Sequence, residues 1–279
     1  SDCKTMDKEE AISKGLYITI GKEIDDKYMA ELKKQSLHPE IIREVAGDIK
    51  IVYTPFCGTG NKPVRRILDE LGYKNVYVVP EQVGPDPEFT TLAYPNPEDP
   101  KAFKLAEELG RKVGAELLMA TDPDADRFAI ELRNDEGEYV PLNGNQTGGL
   151  LIAYLAESKQ AHGTLPAKAA MIKSIVTGNF GRAVCEHYGI KVYEALTGFK
   201  NICGRIPEIK ADGYEYFFGY EESIGCAPGE EVRDKDGISA GMLVAEAAAY
   251  YRKQGKTLWQ VLQELFEKYG VEDETWLAR

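Results

Sequence analysis

Apolar positions in this chain follow two alternating patterns, short unbroken runs and stripes spaced three to four residues apart. In residues 22–46, Ile24, Tyr28 and Leu32 stand four apart, and Ile41, Ile42 and Val45 follow a break at Pro39, which predicts helix on either side of it. The run IKIVYTPF (49–56) reads as a strand, CGTG as a tight turn, and NKPVRRILDELG as a helix. In that helix Val64, Ile67, Leu68 and Leu71 form an i, i+3, i+4, i+7 stripe that Gly72 stops. NVYVVP (75–80) is a second strand, followed by a long proline-rich loop, the helix KAFKLAEELGRKVG and the strand AELLMAT.

After FAIEL and the turn RNDEGEYV the rhythm restarts. NQTGGLLIAYLAES (145–158) predicts a helix, AAMIKSIVTG a strand and loop, and NFGRAVCEHYG a helix. EYFFGYEES reads as another strand, ISAGMLVAEAAAYYRKQ (238–254) as a long helix, and TLWQVLQELFEKYG as the last helix before the polar tail VEDETWLAR. Strands alternating with helices predict an α/β protein: two consecutive three-layer α/β/α domains with mixed, mostly parallel sheets, residues 1–140 and 141–279. In such layers, sites lie outside the carboxyl ends of strands.

At one such end stands TDPDADR (121–127), with Asp122, Asp124 and Asp126 separated by one residue each. Carboxylates that close repel and raise one another's pKa unless something positive sits among them. A solvated acidic turn would account for two of them; the third favours a cation. If the segment is extended, alternate side chains share one face and the three carboxylates gather there. Short anionic oxygen donors suit a hard cation such as Mg²⁺. An EF-hand does not fit, because Arg127 falls where its glycine belongs and Arg133 where its glutamate belongs.

Composition narrows the partners. The net charge of −12 argues against a nucleic-acid or anionic-membrane surface. An anionic substrate would therefore need a local cluster of cations. Five scattered cysteines with no C-x-x-C pair fit free thiols in a reducing compartment, and three scattered histidines give no metal site. No apolar run reaches the length of a membrane span, and SDCKTMDKEE has no signal-peptide character, so the expected location is cytoplasmic. Glu221, Glu222 and Ser223 follow an aromatic strand and offer acceptors and a hydroxyl to a polyol. Lys200 in TGFKN and Lys173 near the end of an apolar run are candidate phosphate partners, although a solvated lysine is the ordinary alternative for the first.

T-D-P-D-A-D-R closely resembles the metal loop of the α-D-phosphohexomutases, and G-Y-E-E-S-I-G resembles their sugar-recognition loop. VYTPFCGTG, PNPEDP, GNQTGGLLIAYL, LTGFKNI and VRDKDG are similar to the phosphoglucomutase/phosphopentomutase-type subgroup, in the expected order. The resemblance implies an isomerase, an intramolecular phosphotransferase of carbohydrate metabolism. A phosphoserine donates to the sugar phosphate, giving a bisphosphorylated sugar that returns its other phosphate. It implies that Asp122, Asp124 and Asp126 hold Mg²⁺, that Glu221 and Ser223 hold sugar hydroxyls, and that Arg127, Lys173, Lys200 and Lys235 form the cationic cluster. The substrates implied are glucose 1- and 6-phosphate and pentose phosphates, with phosphomannomutase specificity as an alternative.

The departures are specific. None of the seven serines precedes His-Asn-Pro, as the family's nucleophile does, and no Arg-x-Ser-Gly-Thr-Glu-Pro phosphate loop is present. The expectation is a central portion of the enzyme, its second and third domains, without turnover of its own. Two other readings remain: a non-catalytic module that binds sugar phosphate and Mg²⁺, and a phosphatase using the aspartates directly.

Overall fold

The computed structural model describes residues 3–270, which leaves the polar tail outside the described residues. A short helix α1 (Lys8–Ser13) is followed by α2 (Lys22–Gln35) and α3 (Pro39–Val45), which divide where Pro39 starts a new first turn. Then come β1 (Lys50–Thr54), α4 (Asn61–Leu71), β2 (Asn75–Val78), α5 (Lys104–Val113) and β3 (Leu117–Thr121). The α4 stripe is the buried face, and Gly72, at φ 110°, ends the helix in the left-handed conformation that only glycine adopts cheaply. β4 (Phe128–Arg133) and β5 (Tyr139–Pro141) complete a sheet ordered β2-β1-β3-β4-β5. Its first three strands are parallel, β4 runs antiparallel to β3, and β5 runs antiparallel to β4 and so in the direction of the first three. All of β3 is buried, as expected for a central strand with helices packed over it.

The second half repeats the scheme. α6 (Gly144–Ala161), β6 (Ala169–Ser174), α7 (Phe180–His187), β7 (Lys191–Ala195), α8 (Phe199–Ile202), α9 (Ile206–Ala211), β8 (Glu215–Tyr220) and β9 (Cys226–Ala227) lead to α10 (Gly237–Lys253) and α11 (Leu258–Tyr269). The sheet order is β7-β6-β8-β9, with only β9 antiparallel. Both sheets are thus mixed and, taken together, mostly parallel.

The halves share one core. Residue 140 lies inside β5, paired with Leu132. α10 packs on α3, α4 and β4 as well as on α6 and α11, and a single apolar cluster runs through both halves. α6 and α10 are apolar nearly all round, as helices enclosed on every side must be. One carboxylate is enclosed with them. Glu246 is fully buried on α10 and accepts from Leu37 N–H at 2.7 Å, from Tyr154 O–H at 2.5 Å and from the Ser36 hydroxyl. That ties the α2–α3 link to α6 and α10. Among the described residues no helix is long and apolar enough to cross a membrane, and all five cysteines are free thiols.

Candidate functional site

The three aspartates sit in the turn that joins β3 to β4. They converge, but not as alternate side chains of an extended strand. Asp122 N–H donates to the Arg127 carbonyl at 3.3 Å and Ala125 N–H to the Asp122 carbonyl at 3.0 Å, so the chain reverses within six residues. Ala125 takes up the reversal at φ 63°, a conformation that costs a residue with a Cβ of order 1 kcal/mol. One oxygen from each carboxylate lies within 4.8 Å of the others.

A second turn supports the first. The CGTG segment, legible only as a tight turn after β1, is also the bed of the aspartate loop. Thr59 donates its N–H at 2.8 Å and its hydroxyl at 3.2 Å to the Pro123 carbonyl. A Cβ at Gly58 would stand 2.4 Å from Pro123 Cα, so the two backbones meet there because residue 58 has no side chain. Phe56 and Cys57 just before it have φ of 46° and 60°. Left-handed residues other than glycine are uncommon, and both turns that make this site contain them.

Charge is arranged to match. Asp122 is 1% exposed, and Arg127 reaches both of its oxygens, N–H to Oδ1 at 3.0 Å and Nε to Oδ2 at 2.7 Å. Burial raises the Asp122 pKa, Asp124 adds to the rise, and Arg127 opposes it. Lys235 Nζ lies 2.7 Å from Asp126 Oδ2. Two cations therefore offset part of a triple negative charge. Each carboxylate oxygen has two lone pairs, so these contacts leave acceptor positions over. An all-oxygen, anionic donor set of this size fits a hard divalent cation.

The Glu-Glu-Ser segment emerges from the carboxyl end of β8, next to this loop. Glu221 is buried; its Oε1 accepts from Gly198 N–H at 2.5 Å, and its own N–H donates to the Gly225 carbonyl at 2.9 Å. Burial raises the Glu221 pKa, Gly198 lowers it, and Glu222 raises it again. Gly198 leads into α8, where Lys200 is exposed and makes no ion pair among the described residues. Ser223 is half-buried, and Ile224 adopts φ 58°, a strained value for a β-branched residue.

The two loops are joined through the backbone. Arg127 and Gly225 form an isolated antiparallel bridge, Phe128 N–H donates to the Ile224 carbonyl at 3.2 Å, and Gly237 N–H donates to the Ala125 carbonyl at 3.2 Å. Asp236, which caps α10, accepts from Tyr28 O–H on α2 at 2.8 Å. Asp122, Asp124, Asp126, Arg127, Lys235, Glu221 and Ser223 thus belong to one region, with Lys200 on the short helix α8 that follows Gly198, the residue bound to Glu221.

Lys173 is placed differently from the other three candidate cations. Its side chain is 2% exposed, and Nζ donates to the Thr177 carbonyl at 2.6 Å and lies 3.3 Å from Glu194. The fold turns it inward as a support for the loop after β6, where the sequence suggested a phosphate partner. Ser174, Thr177 and Gly144, which position the Glu-Glu-Ser segment, carry no signal in a single sequence. Their partners are 45 residues or more away along the chain for Thr177 and 48 for Ser174.

The phosphoglucomutase/phosphomannomutase alpha/beta/alpha domain II model matches residues 26–135, and the domain III model matches residues 143–269. A phosphoglucomutase of Staphylococcus haemolyticus is 33% identical over 263 residues, which are 91% of this chain and 47% of that protein. A phosphopentomutase of Homo sapiens is 35% identical over 254 residues, 88% of this chain and 41% of that one. This chain therefore spans about half the length of the curated relatives it matches, or less. Among solved structures, the phosphoglucomutase pp63/parafusin of Paramecium, in an open form, superimposes with a TM-score of 0.67 at 20% identity, covering 88% of this chain and 42% of that one. That likeness is one of fold.

Proposed function

We propose, from the premise that this chain belongs to the phosphoglucomutase/phosphomannomutase family, that it carries the metal loop and the sugar loop of a sugar-phosphate mutase. Residues 1–140 would supply the first loop and 141–279 the second. The observation that carries this reading is the convergence of Asp122, Asp124 and Asp126 at the end of β3, bridged through Arg127 to Gly225 of the Glu-Glu-Ser loop.

In the whole enzyme, Asp122, Asp124 and Asp126 would hold Mg²⁺. When bound, the ion supplies positive charge to a phosphoryl group in transfer, a reaction governed by positioning and electrostatics. Glu221 and Ser223 orient the sugar through its hydroxyls. Lys200, exposed and unpaired, meets a phosphate. Arg127 holds Asp122 in place from two sides. The phosphoserine that gives and takes the phosphoryl group belongs to a domain other than these two. Glucose phosphates and pentose phosphates are the substrates best matched by the named relatives. The free thiols suit a cytoplasmic enzyme.

The test is an NMR titration of the chain with glucose 1-phosphate at saturating Mg²⁺. Saturable shifts at Ser223 and Lys200 are expected, with affinity reduced roughly tenfold by Glu221→Gln, since a hydrogen bond to a charged acceptor is worth that much. The chain alone should not interconvert glucose 1- and 6-phosphate. Absence of any shift up to millimolar sugar phosphate would overturn the sugar-loop assignment.

A further inference from the structure

Glu222 stands between the two residues assigned to the sugar, and its carboxylate points the other way. Its Oε2 accepts from the Thr177 hydroxyl at 2.8 Å and the Ser174 hydroxyl at 3.0 Å. Its backbone N–H donates back to Thr177 Oγ1 at 3.2 Å, and Thr177 N–H donates to Ser174 Oγ at 3.1 Å. Ser174 and Thr177 are 0% and 3% exposed, so these bonds form where water does not compete. The two hydroxyl oxygens are themselves 2.7 Å apart. Two hydroxyl protons therefore serve three close oxygen–oxygen contacts, which leaves no spare donor for anything else.

The anchor is itself anchored. Lys173 Nζ holds the Thr177 carbonyl at 2.6 Å, and Gly178 N–H donates to Asn145 Oδ1, on the first turn of α6, at 2.9 Å. The Glu222 carbonyl rests against Gly144, the first residue of α6. On either side of Ser223 the chain is also fixed, by Gly198 at Glu221 and by Phe128 at Ile224. The Ser223 hydroxyl, in contrast, makes no hydrogen bond to another described residue. A serine with a free hydroxyl in a loop braced at 221, 222 and 224 is preorganised to meet a ligand.

We propose that Glu222 is a positioning residue for sugar recognition: by binding Ser174 and Thr177 it holds Ser223 at the height where a sugar hydroxyl can reach it. The lysine buried beneath the loop after β6 and the sequence's unassigned glutamate thus acquire one purpose. This proposal rests on the sugar-loop reading above.

The test compares the 279-residue chain with Glu222→Ala, Thr177→Val and Thr177→Ser. Amide hydrogen exchange is measured at 221–225 and at 122–126, and affinity is measured by NMR titration for glucose 1-phosphate and separately for Mg²⁺. Glu222→Ala and Thr177→Val should speed exchange at 221–225 and weaken glucose 1-phosphate about tenfold, the expected loss for bonds to a charged acceptor. Thr177→Ser, which keeps the hydroxyl, should restore both. Mg²⁺ affinity and exchange at 122–126 should not move. If the parent binds the sugar phosphate and Glu222→Ala binds it equally well, the Glu222 assignment is overturned while the sugar-loop reading stands. Equal loss of Mg²⁺ affinity would also overturn it, because the effect would then be general. A parent that binds no sugar phosphate overturns both.

Discussion

Gly144→Ala should destabilise the chain by about 3 kcal/mol, at the upper end of what an added methyl costs in a filled interior. The reason is local and concerns backbone. A Cβ at residue 144 would lie 2.1 Å from the Glu222 carbonyl oxygen and 2.6 Å from Ile224 N, and neither is the end of a flexible side chain. The first turn of α6 cannot retreat, because Asn143 and Gln146 close a reciprocal cap on it and Asn145 binds Gly178. The Glu-Glu-Ser loop cannot retreat without losing its bonds to Thr177, Gly198 and Phe128. Urea unfolding followed by circular dichroism reads the effect as a lower midpoint at unchanged slope. A loss below about 1 kcal/mol would mean that this contact is loose.

Glu131→Gln should stabilise the protein at alkaline pH and do little in acid. Glu131 lies on β4 between Leu118 and Pro141, 1% exposed, and neither of its oxygens has a hydrogen-bond partner among the described residues. Burial pushes its pKa up to about 8, Glu107 adds to the rise, and Arg111 opposes it. Arg111 cannot do more because it is paired with Glu107 at 2.6 Å. The folded carboxyl is thus protonated where an unfolded one is ionised. Between the ordinary carboxylate pKa and about 8, the native state binds the extra proton, so stability falls as pH rises through that window. Above it the full penalty applies, about 5 kcal/mol at 1.36 kcal/mol for each unit of the rise. Glutamine carries no charge and should flatten the profile. Thermal melts at pH 5 and pH 9 compare the two chains; equal slopes would show that Glu131 finds a partner.

What the sequence made legible, and what it did not, divides by distance along the chain. The stripe Val64, Ile67, Leu68, Leu71 became a buried helix face because helical period and burial are local facts. Asp122, Asp124 and Asp126 could be grouped from their spacing, but the reason they converge is the turn at Ala125 and the bed provided by Gly58 and Thr59. Gly58 looked like an ordinary turn glycine, and Gly144 stood just ahead of the helix predicted from residue 145. Their need arises from Pro123 and Glu222, which folding alone brings near. Glu131 sat unnoticed in FAIEL because a strand's inward face is known only once its neighbours are. β9, two residues long, is too short to leave a pattern. The glutamate at 222 was visible as a residue but not as an anchor, since Ser174 and Thr177 lie in another loop.

The measurement closest to the central claim is a calorimetric titration of Mg²⁺ into the parent chain and into Asp124→Asn/Asp126→Asn. One saturable site in the parent is expected, weakened roughly a hundredfold in the variant, about 2.7 kcal/mol of lost attraction. Identical Mg²⁺ affinity in the two chains would contradict the assignment of this loop as the metal site.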